Sequence, residues 1–290
     1  MPKPRILVSG SNGQLGKSLK ELSSDFPRFE FIFLSRTDMP VHHFELVRNT
    51  FKAHHPQYFI NCAAYTNVDK AEQEKELAYQ VNGEAVGVLA AICKEYDSKF
   101  IHISTDYVFD GNATTPYSEN FQTNPINTYG ASKLEGEQQA LQFNSDSIII
   151  RSSWVYSAYG KNFVRTMLEL MSRGNEISVV NDQFGSPTYA TDLAEAILQI
   201  ISSGKWYPGI YNYCNEGVIN WFEFAQTIGE LSESLLKINS IPTSQYPTPA
   251  QRPGYTALNT KKIQTTFGID PKKWKESLFV CINKLGKKNS

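Results

Sequence analysis

At 290 residues, 41% hydrophobic and 20% charged, the chain has the composition of a soluble globular protein and room for a large core in one domain or two. A formal net charge of −1 removes any general electrostatic reason to expect a nucleic-acid polymer or an anionic membrane as partner. Cys62, Cys93, Cys214 and Cys281 form no Cys-x-x-Cys pair, no apolar run approaches the roughly 20 residues of a membrane span, and Met1-Pro2-Lys3-Pro4-Arg5 leads straight into structure, so a zinc site, a disulfide framework and an export signal are unexpected and a cytoplasmic location is expected.

The first predicted strand, at about 5–9, carries Ile6-Leu7-Val8 and runs into Gly10-Ser11-Asn12-Gly13-Gln14-Leu15-Gly16, after which Leu15, Leu19 and Leu22 recur at helical spacing. Glycines in such a strand–turn–helix unit let the backbone approach a pyrophosphate, whose charge then meets the free N–H groups of the helix N-terminus. The spacing here is Gly-x-x-Gly-x-x-Gly, and its position at the start of a strand–helix unit carries the reading. A second strand at about 29–34 leads to Ser35-Arg36, where enzymes that use the unphosphorylated dinucleotide usually present an acid to the ribose. Arg36 could instead pair a 2′-phosphate, which favours NADPH, although Asp38 nearby leaves NADH open.

A third strand is expected at about 58–63, then a helix marked by Leu89, Ile92, Cys93 and Tyr96, and a fourth strand at about 100–104 that ends in Ser104-Thr105-Asp106-Tyr107. Hydroxyls at the carboxyl end of a strand in an open α/β sheet can reach a substrate carbonyl beside a cofactor; as plain strand-end residues they would cap local backbone. Tyr129-Gly130-Ala131-Ser132-Lys133 follows, with tyrosine and lysine one helical turn apart on the same face. An ammonium beside a phenol favours the phenolate and lowers the tyrosine pKa, as a general acid/base requires.

After a fifth strand at about 147–152 the alternation loosens, with helices near 161–173, 191–203, 220–231 and 271–285 and short strands near 177–180 and 209–213. The expected fold is therefore α/β: a Rossmann-type doubly wound parallel sheet over residues 1–160, with later segments returning to it, and a smaller α/β substrate-binding lobe mainly over 161–290. Asn220 and Glu223 make a candidate capping box, Asp270-Pro271 a helix start, and Lys287-Lys288 a solvated tail. The proline-rich stretch from Ile241 to Pro253 is too irregular for a simple connector and reads as a binding loop.

Together with Asn61-Cys62-Ala63-Ala64-Tyr65-Thr66-Asn67-Val68-Asp69-Lys70-Ala71-Glu72, Arg151-Ser152-Ser153-Trp154-Val155-Tyr156, Asn181-Asp182-Gln183-Phe184-Gly185-Ser186-Pro187-Thr188 and Tyr246-Pro247-Thr248-Pro249-Ala250-Gln251-Arg252-Pro253, these motifs give a chain that resembles the extended short-chain dehydrogenase/reductases and, within them, the dTDP-4-dehydrorhamnose reductases over nearly its whole length. The resemblance implies NADPH-dependent reduction of the 4-keto group of dTDP-6-deoxy-L-lyxo-4-hexulose to dTDP-L-rhamnose for cell-surface polysaccharide.

On that footing Tyr129 is the expected proton donor, Lys133 its modulator and a nicotinamide-ribose ligand, and Thr105 the hydroxyl that orients the carbonyl, with Ser104 its nearest competitor. Gly10, Gly13, Gln14, Leu15 and Gly16 are expected around the pyrophosphate, with Asn12 either a donor or a turn former, and Ala63, Ala64, Tyr65 and Thr66 against the cofactor. Thr105, Asp106 and Trp154 fall at the deoxysugar with Tyr107 close by, Arg252 is a diphosphate candidate, and Gln183 could read a polar ligand group; the bland alternatives are a core tryptophan, a surface charge and a loop hydrogen bond. Some members of the family join two subunits through magnesium on carboxylates. Ser18 and Thr191 stand at the matching positions, so no magnesium is expected and the chain should be a monomer or a homodimer held by other contacts. Rival readings are another nucleotide-sugar reductase or epimerase, and a non-catalytic protein like the regulatory subunit of methionine adenosyltransferase.

Overall fold

The computed structural model describes residues 2–174 and 176–286, so the expected Lys287-Lys288 tail lies outside the described residues. Five strands appear where apolar runs predict them: β1 (Arg5–Ser9), β2 (Glu30–Phe33), β3 (Tyr58–Asn61), β4 (Lys99–Thr105) and β5 (Ile148–Ser152). With the strand Gly209–Asn212 they form one sheet in the order 209–212, β5, β4, β3, β1, β2, every neighbouring pair parallel. Chain order reverses beside β1, which creates the crevice at the strand carboxyl ends where such sheets bind ligands.

The sheet is buried on both faces, which explains its nearly continuous apolar strands. Because side chains alternate along a strand, Ile6, Val8, Ile101, Ile148 and Ile150 join one core while Leu7, Phe100 and Ile149 join the other. On the first face Leu15 and Leu19 of the helix Gln14–Leu22 meet Leu193 and Ile197 of the helix Ala190–Ser202. On the second, Val86, Leu89 and Cys93 of the helix Ala85–Glu95 pack with Val47 and Phe51 of the helix Phe44–His54. The helix Ala190–Ser202 and the strand Gly209–Asn212, expected from sequence in the smaller lobe, therefore belong to the layers of the main sheet.

A separate core holds most of the remaining second half together. Val164 and Met167 from the helix Phe163–Ser172, Phe224 and Ile228 from Trp221–Leu231, and Leu278 from Trp274–Gly286 are its buried centre. A parallel pair, Ile177–Val180 with Ile238–Ile241, lies against it. Asn220 and Glu223 form the expected capping box. Asp270-Pro271 does not open the last helix, which starts at Trp274 because Lys273 is first drawn into a bridge with Glu216 and the Trp274 N–H donates to the Glu216 carbonyl at 3.0 Å.

Candidate active site

A cleft of about 800 Å³ opens at the carboxyl ends of the strands. Its lining includes Gly10, Asn12, Gly13, Gln14, Leu15, Arg36, Ala63, Ala64, Tyr65, Thr66, Thr105, Asp106, Tyr129, Lys133 and Trp154, bringing together most of the residues singled out in the sequence. Gly10 has φ +62°, and a Cβ there would stand 2.7 Å from the Ala63 nitrogen, so only glycine allows the turn to press against the end of β3. Gly16 lies behind that turn, outside the cleft lining, and lets the helix pack beneath it. The Gln14 side chain is already engaged: it donates to the Val155 carbonyl at 3.2 Å and accepts from Ser157 and Asn162, both at 2.9 Å. Its contribution to an anion would come from its backbone N–H.

Tyr129 and Lys133 lie on the helix Thr128–Phe143, whose start is heavily fastened. Asn127 accepts the Gly130 N–H at 2.8 Å and donates to the Gln251 carbonyl at 2.9 Å, tying the helix to the proline-rich loop. The Glu72 carboxylate takes both the backbone N–H and the hydroxyl of Thr128, at 2.7 and 2.8 Å, where a negative charge suits the helix N-terminus. A Cβ at Gly130 would come within 2.1 Å of the Tyr107 carbonyl, so the helix rests directly on backbone. Asn82 bridges the Tyr65 main chain and Ser132, fixing the loop after β3 to the same helix.

The electrostatics differ from the sequence expectation in one respect. Burial pushes the Tyr129 phenol up to about 12, against the neighbouring Thr105 hydroxyl, which favours the ionised form, and burial lowers Lys133 to about 8 against the upward pull of Glu137. Poor solvation decides the direction of both shifts, so Tyr129 is held protonated. Asp106 is raised to about 7 by burial, although the Thr256 and Thr105 hydroxyls favour its ionised form. Thr105 donates to Asp106 Oδ1 at 3.0 Å and accepts the Tyr107 N–H at 3.2 Å, whereas the buried Ser104 Oγ, also in the cleft lining, has no hydrogen-bond partner among the described residues.

Trp154 lines the cleft with φ +46° and stacks on Trp221 at 3.6 Å, 10° from parallel. Tyr107 stands outside the lining but its ring meets Tyr129 edge-on at 5.9 Å. Two candidates are placed elsewhere. Gln183 is buried away from the cleft and its amide donates to Thr243 at 3.0 Å, while Arg252 donates to Asp69 at 3.0 Å and to the Ala250 carbonyl at 3.2 Å. Both side chains help to close the proline-rich loop onto its neighbours. Arg36 lies in the cleft wall beside His42, and the Ser35 N–H and hydroxyl hold Asp38 in a local turn at 2.8 and 2.6 Å. Missed in the sequence are Met39, Val41 and His42 in that wall, Lys161 and Asn162 opposite, and the buried His102 against Lys133.

The glycine turn, the small residues Ala63 and Ala64 and the cationic Arg36 fit an elongated, anionic dinucleotide, and the converging Thr105, Tyr129 and Lys133 can polarise a carbonyl and deliver a proton to it. Comparison with known proteins agrees with this geometry. The family described as RmlD substrate binding domain matches residues 4–287. The dTDP-4-dehydrorhamnose reductase of Aggregatibacter actinomycetemcomitans is 39% identical over 284 residues, covering 94% of this chain and 97% of the relative. Among solved structures, a dTDP-4-dehydrorhamnose reductase from Clostridium acetobutylicum superposes with a TM-score of 0.93 at 37% identity, over 97% of this chain and 99% of its own. The enzyme of that name from Bacillus anthracis, crystallised with NADP, gives 0.93 at 35% identity, over 98% of this chain and all 100% of its own.

Proposed function

This chain belongs to the dTDP-4-dehydrorhamnose reductase family, and we propose that, as an oxidoreductase of that family, it reduces the 4-keto group of dTDP-6-deoxy-L-lyxo-4-hexulose to dTDP-L-rhamnose with NADPH, the last step in supplying that sugar for polysaccharide. The observation that carries this reading is the convergence of Thr105, Tyr129 and Lys133 in a cleft that also contains the glycine turn.

A bound nicotinamide would supply hydride to the carbonyl carbon. The remaining work falls to the chain. Gly10, Gly13 and the backbone after it cradle the pyrophosphate, Arg36 takes the 2′-phosphate, and Ala63 to Thr66 line the route to the reacting end. The Thr105 hydroxyl orients the substrate carbonyl, and Tyr129 Oη gives its proton to the oxygen as negative charge develops there. A phenol kept protonated by burial is in the state that this donation needs. Trp154, stiffened by its stack on Trp221, offers a flat apolar surface to the deoxysugar, and Asp106 borders the same space.

The test is a coupled reaction: dTDP-4-keto-6-deoxyglucose, a 3,5-epimerase and purified protein, with NADPH loss followed by absorbance and the product identified by NMR. Stoichiometric NADPH consumption with dTDP-L-rhamnose as product is expected. An epimerised product without net NADPH loss, or no turnover at all, would overturn the proposal.

A further inference from the structure

Gln14 joins the two cores of the chain inside the cleft. Its neighbour Leu15 belongs to the core of the main sheet, whereas Tyr156 and Ala158 belong to the core of the second half. The Gln14 amide, at the start of the helix Gln14–Leu22, reaches into the loop 155–162. That loop is tied to itself: the Ser157 hydroxyl accepts the Tyr159 N–H at 3.0 Å, Asn162 Nδ2 donates to the Ser157 carbonyl at 2.8 Å and lies 3.2 Å from the Tyr159 carbonyl, and Arg165 donates to the Ala158 carbonyl at 3.1 Å. Trp154 just before the loop, and Gly160, Lys161 and Asn162 at its end, line the cleft.

The orientation of each amide in this clamp is fixed by a group that acts in only one way. The Arg165 backbone N–H can only donate, so Asn162 keeps its oxygen there at 3.2 Å, as the cap of the helix Phe163–Ser172, and its NH₂ towards the loop carbonyls and Gln14. The Val155 carbonyl can only accept, so Gln14 gives it Nε2 and turns Oε1 to Asn162 and Ser157. Reversing Gln14 would set oxygen against oxygen at Val155 and NH₂ against NH₂ at Asn162, so the contacts form or fail together. The same helix holds the loop again two turns on, where Tyr159 donates to Glu21 at 3.1 Å.

We propose that the Gln14 side chain couples the two ligand sites: a cofactor phosphate held at the start of this helix stiffens the loop 155–162 through the amide clamp, so that NADPH and the sugar nucleotide each tighten the binding of the other. In this Gln14 is a positioning residue, acting on the sugar nucleotide through Trp154 and Lys161. A loop already ordered by one ligand opposes the other with less loss of its own freedom, and by linkage the effect is equal in both directions. The identity of the ligands rests on the proposed function, whereas the clamp does not.

NADPH and dTDP-L-rhamnose are both in the reduced state, cannot react together, and so report binding alone. Calorimetry on the whole protein should give a Kd for dTDP-L-rhamnose at least about fivefold lower with saturating NADPH than without, the lower end of ordinary coupling between sites. Gln14→Met keeps the length of the side chain without its hydrogen bonds, and Asn162→Ser keeps a capping oxygen that cannot reach Gln14. Each should bring the ratio of the two Kd values to within about twofold of one, and the ratio reads the coupling whatever happens to either affinity alone. In hydrogen exchange, NADPH by itself should slow the amides of 155–162 in the unaltered protein and leave them unchanged in both variants. Coupling that persists in both variants would come from direct contact between the ligands and would overturn the proposal, as would an unaltered protein that binds both ligands without coupling. Failure to bind dTDP-L-rhamnose at all would count against the functional reading instead, and the NADPH-dependent exchange would then decide the clamp. If Gln14→Met does not fold, Asn162→Ser, outside the glycine turn, decides.

Discussion

Glu137 and Arg151 are locked fork to fork, Nε to Oε1 at 2.9 Å and Nη2 to Oε2 at 2.7 Å, with side chains only 2% and 3% exposed. Arg151 also donates to the Glu119 carbonyl and lies over the Phe109 ring at 5.1 Å, so the pair fastens the helix of Tyr129 and Lys133 to β5. Removing one partner strands a buried charge. Glu137→Gln should therefore destabilise the protein by about 3–5 kcal/mol, and replacing both residues with methionine should cost less. Urea denaturation of the three proteins checks this, and a loss under about 1 kcal/mol for Glu137→Gln would contradict it.

Tyr129→Phe keeps the ring that packs edge-on against Tyr107 and deletes only the hydroxyl. Its kcat should fall by at least about 100-fold, the scale of a lost general acid, with an unchanged circular dichroism spectrum. Turnover within a few-fold of normal would remove Tyr129 from the chemistry.

Asp106 predicts a stability profile. Its folded pKa, about 7, lies above the 3.8 of a free aspartate, so the folded chain holds this proton more tightly than the unfolded chain does. The contribution is complete below about pH 4 and is lost as pH rises through about 7. Relative to the unaltered protein, Asp106→Asn should gain stability across that interval, to a ceiling of roughly 4 kcal/mol at higher pH. Denaturation at pH 4.5, 6 and 8 measures the difference, and a gap that does not grow with pH would refute the assignment.

Arg36→Ala should raise KM for NADPH severalfold or more while leaving NADH use nearly unchanged. Arg36 stands in the cleft wall, while Asp38 is turned back onto Ser35, where those hydrogen bonds hold its carboxyl below the usual carboxylate range. Kinetics with both cofactors on both proteins decide it; equal damage to the two would show that Arg36 does not read the phosphate.

Chelation should change neither turnover nor mass in solution. Ser18 is fully buried and receives a hydrogen bond from Thr191 at 3.4 Å within the same chain, and two neutral hydroxyls are poor partners for magnesium. Light scattering with and without EDTA is the measurement, and an EDTA-sensitive dimer would count against this inference.

The main strands are legible in the sequence because each is a short apolar run bounded by polar or glycine residues, and Gly10, Tyr129 and Lys133 are legible because their chemistry follows from local spacing. What escapes the sequence is long-range. His102 reads as one residue of an ordinary strand; only the register of β3 and β4 sets it beside Asn61, and only helix packing sets it against Lys133. Arg252 reads as a phosphate candidate, and nothing local in the sequence shows its pairing with Asp69, 183 residues away. The start of the last helix escapes for the same reason, since its delay depends on Glu216.

The place of the strand Gly209–Asn212 beside β5 has a consequence for biosynthesis. As the chain leaves the ribosome, the whole glycine turn and the Tyr129–Lys133 helix emerge while β5 still has an open edge, and such an edge invites pairing with a foreign strand. The edge closes only once Asn212 is out, and the helix Lys261–Phe267, which adds Ile263 to the core on that side, follows later still. A nascent or truncated chain ending near residue 160 would thus be an aggregation-prone fragment and not a free-standing nucleotide-binding module, and chaperone capture should peak at nascent lengths short of residue 212.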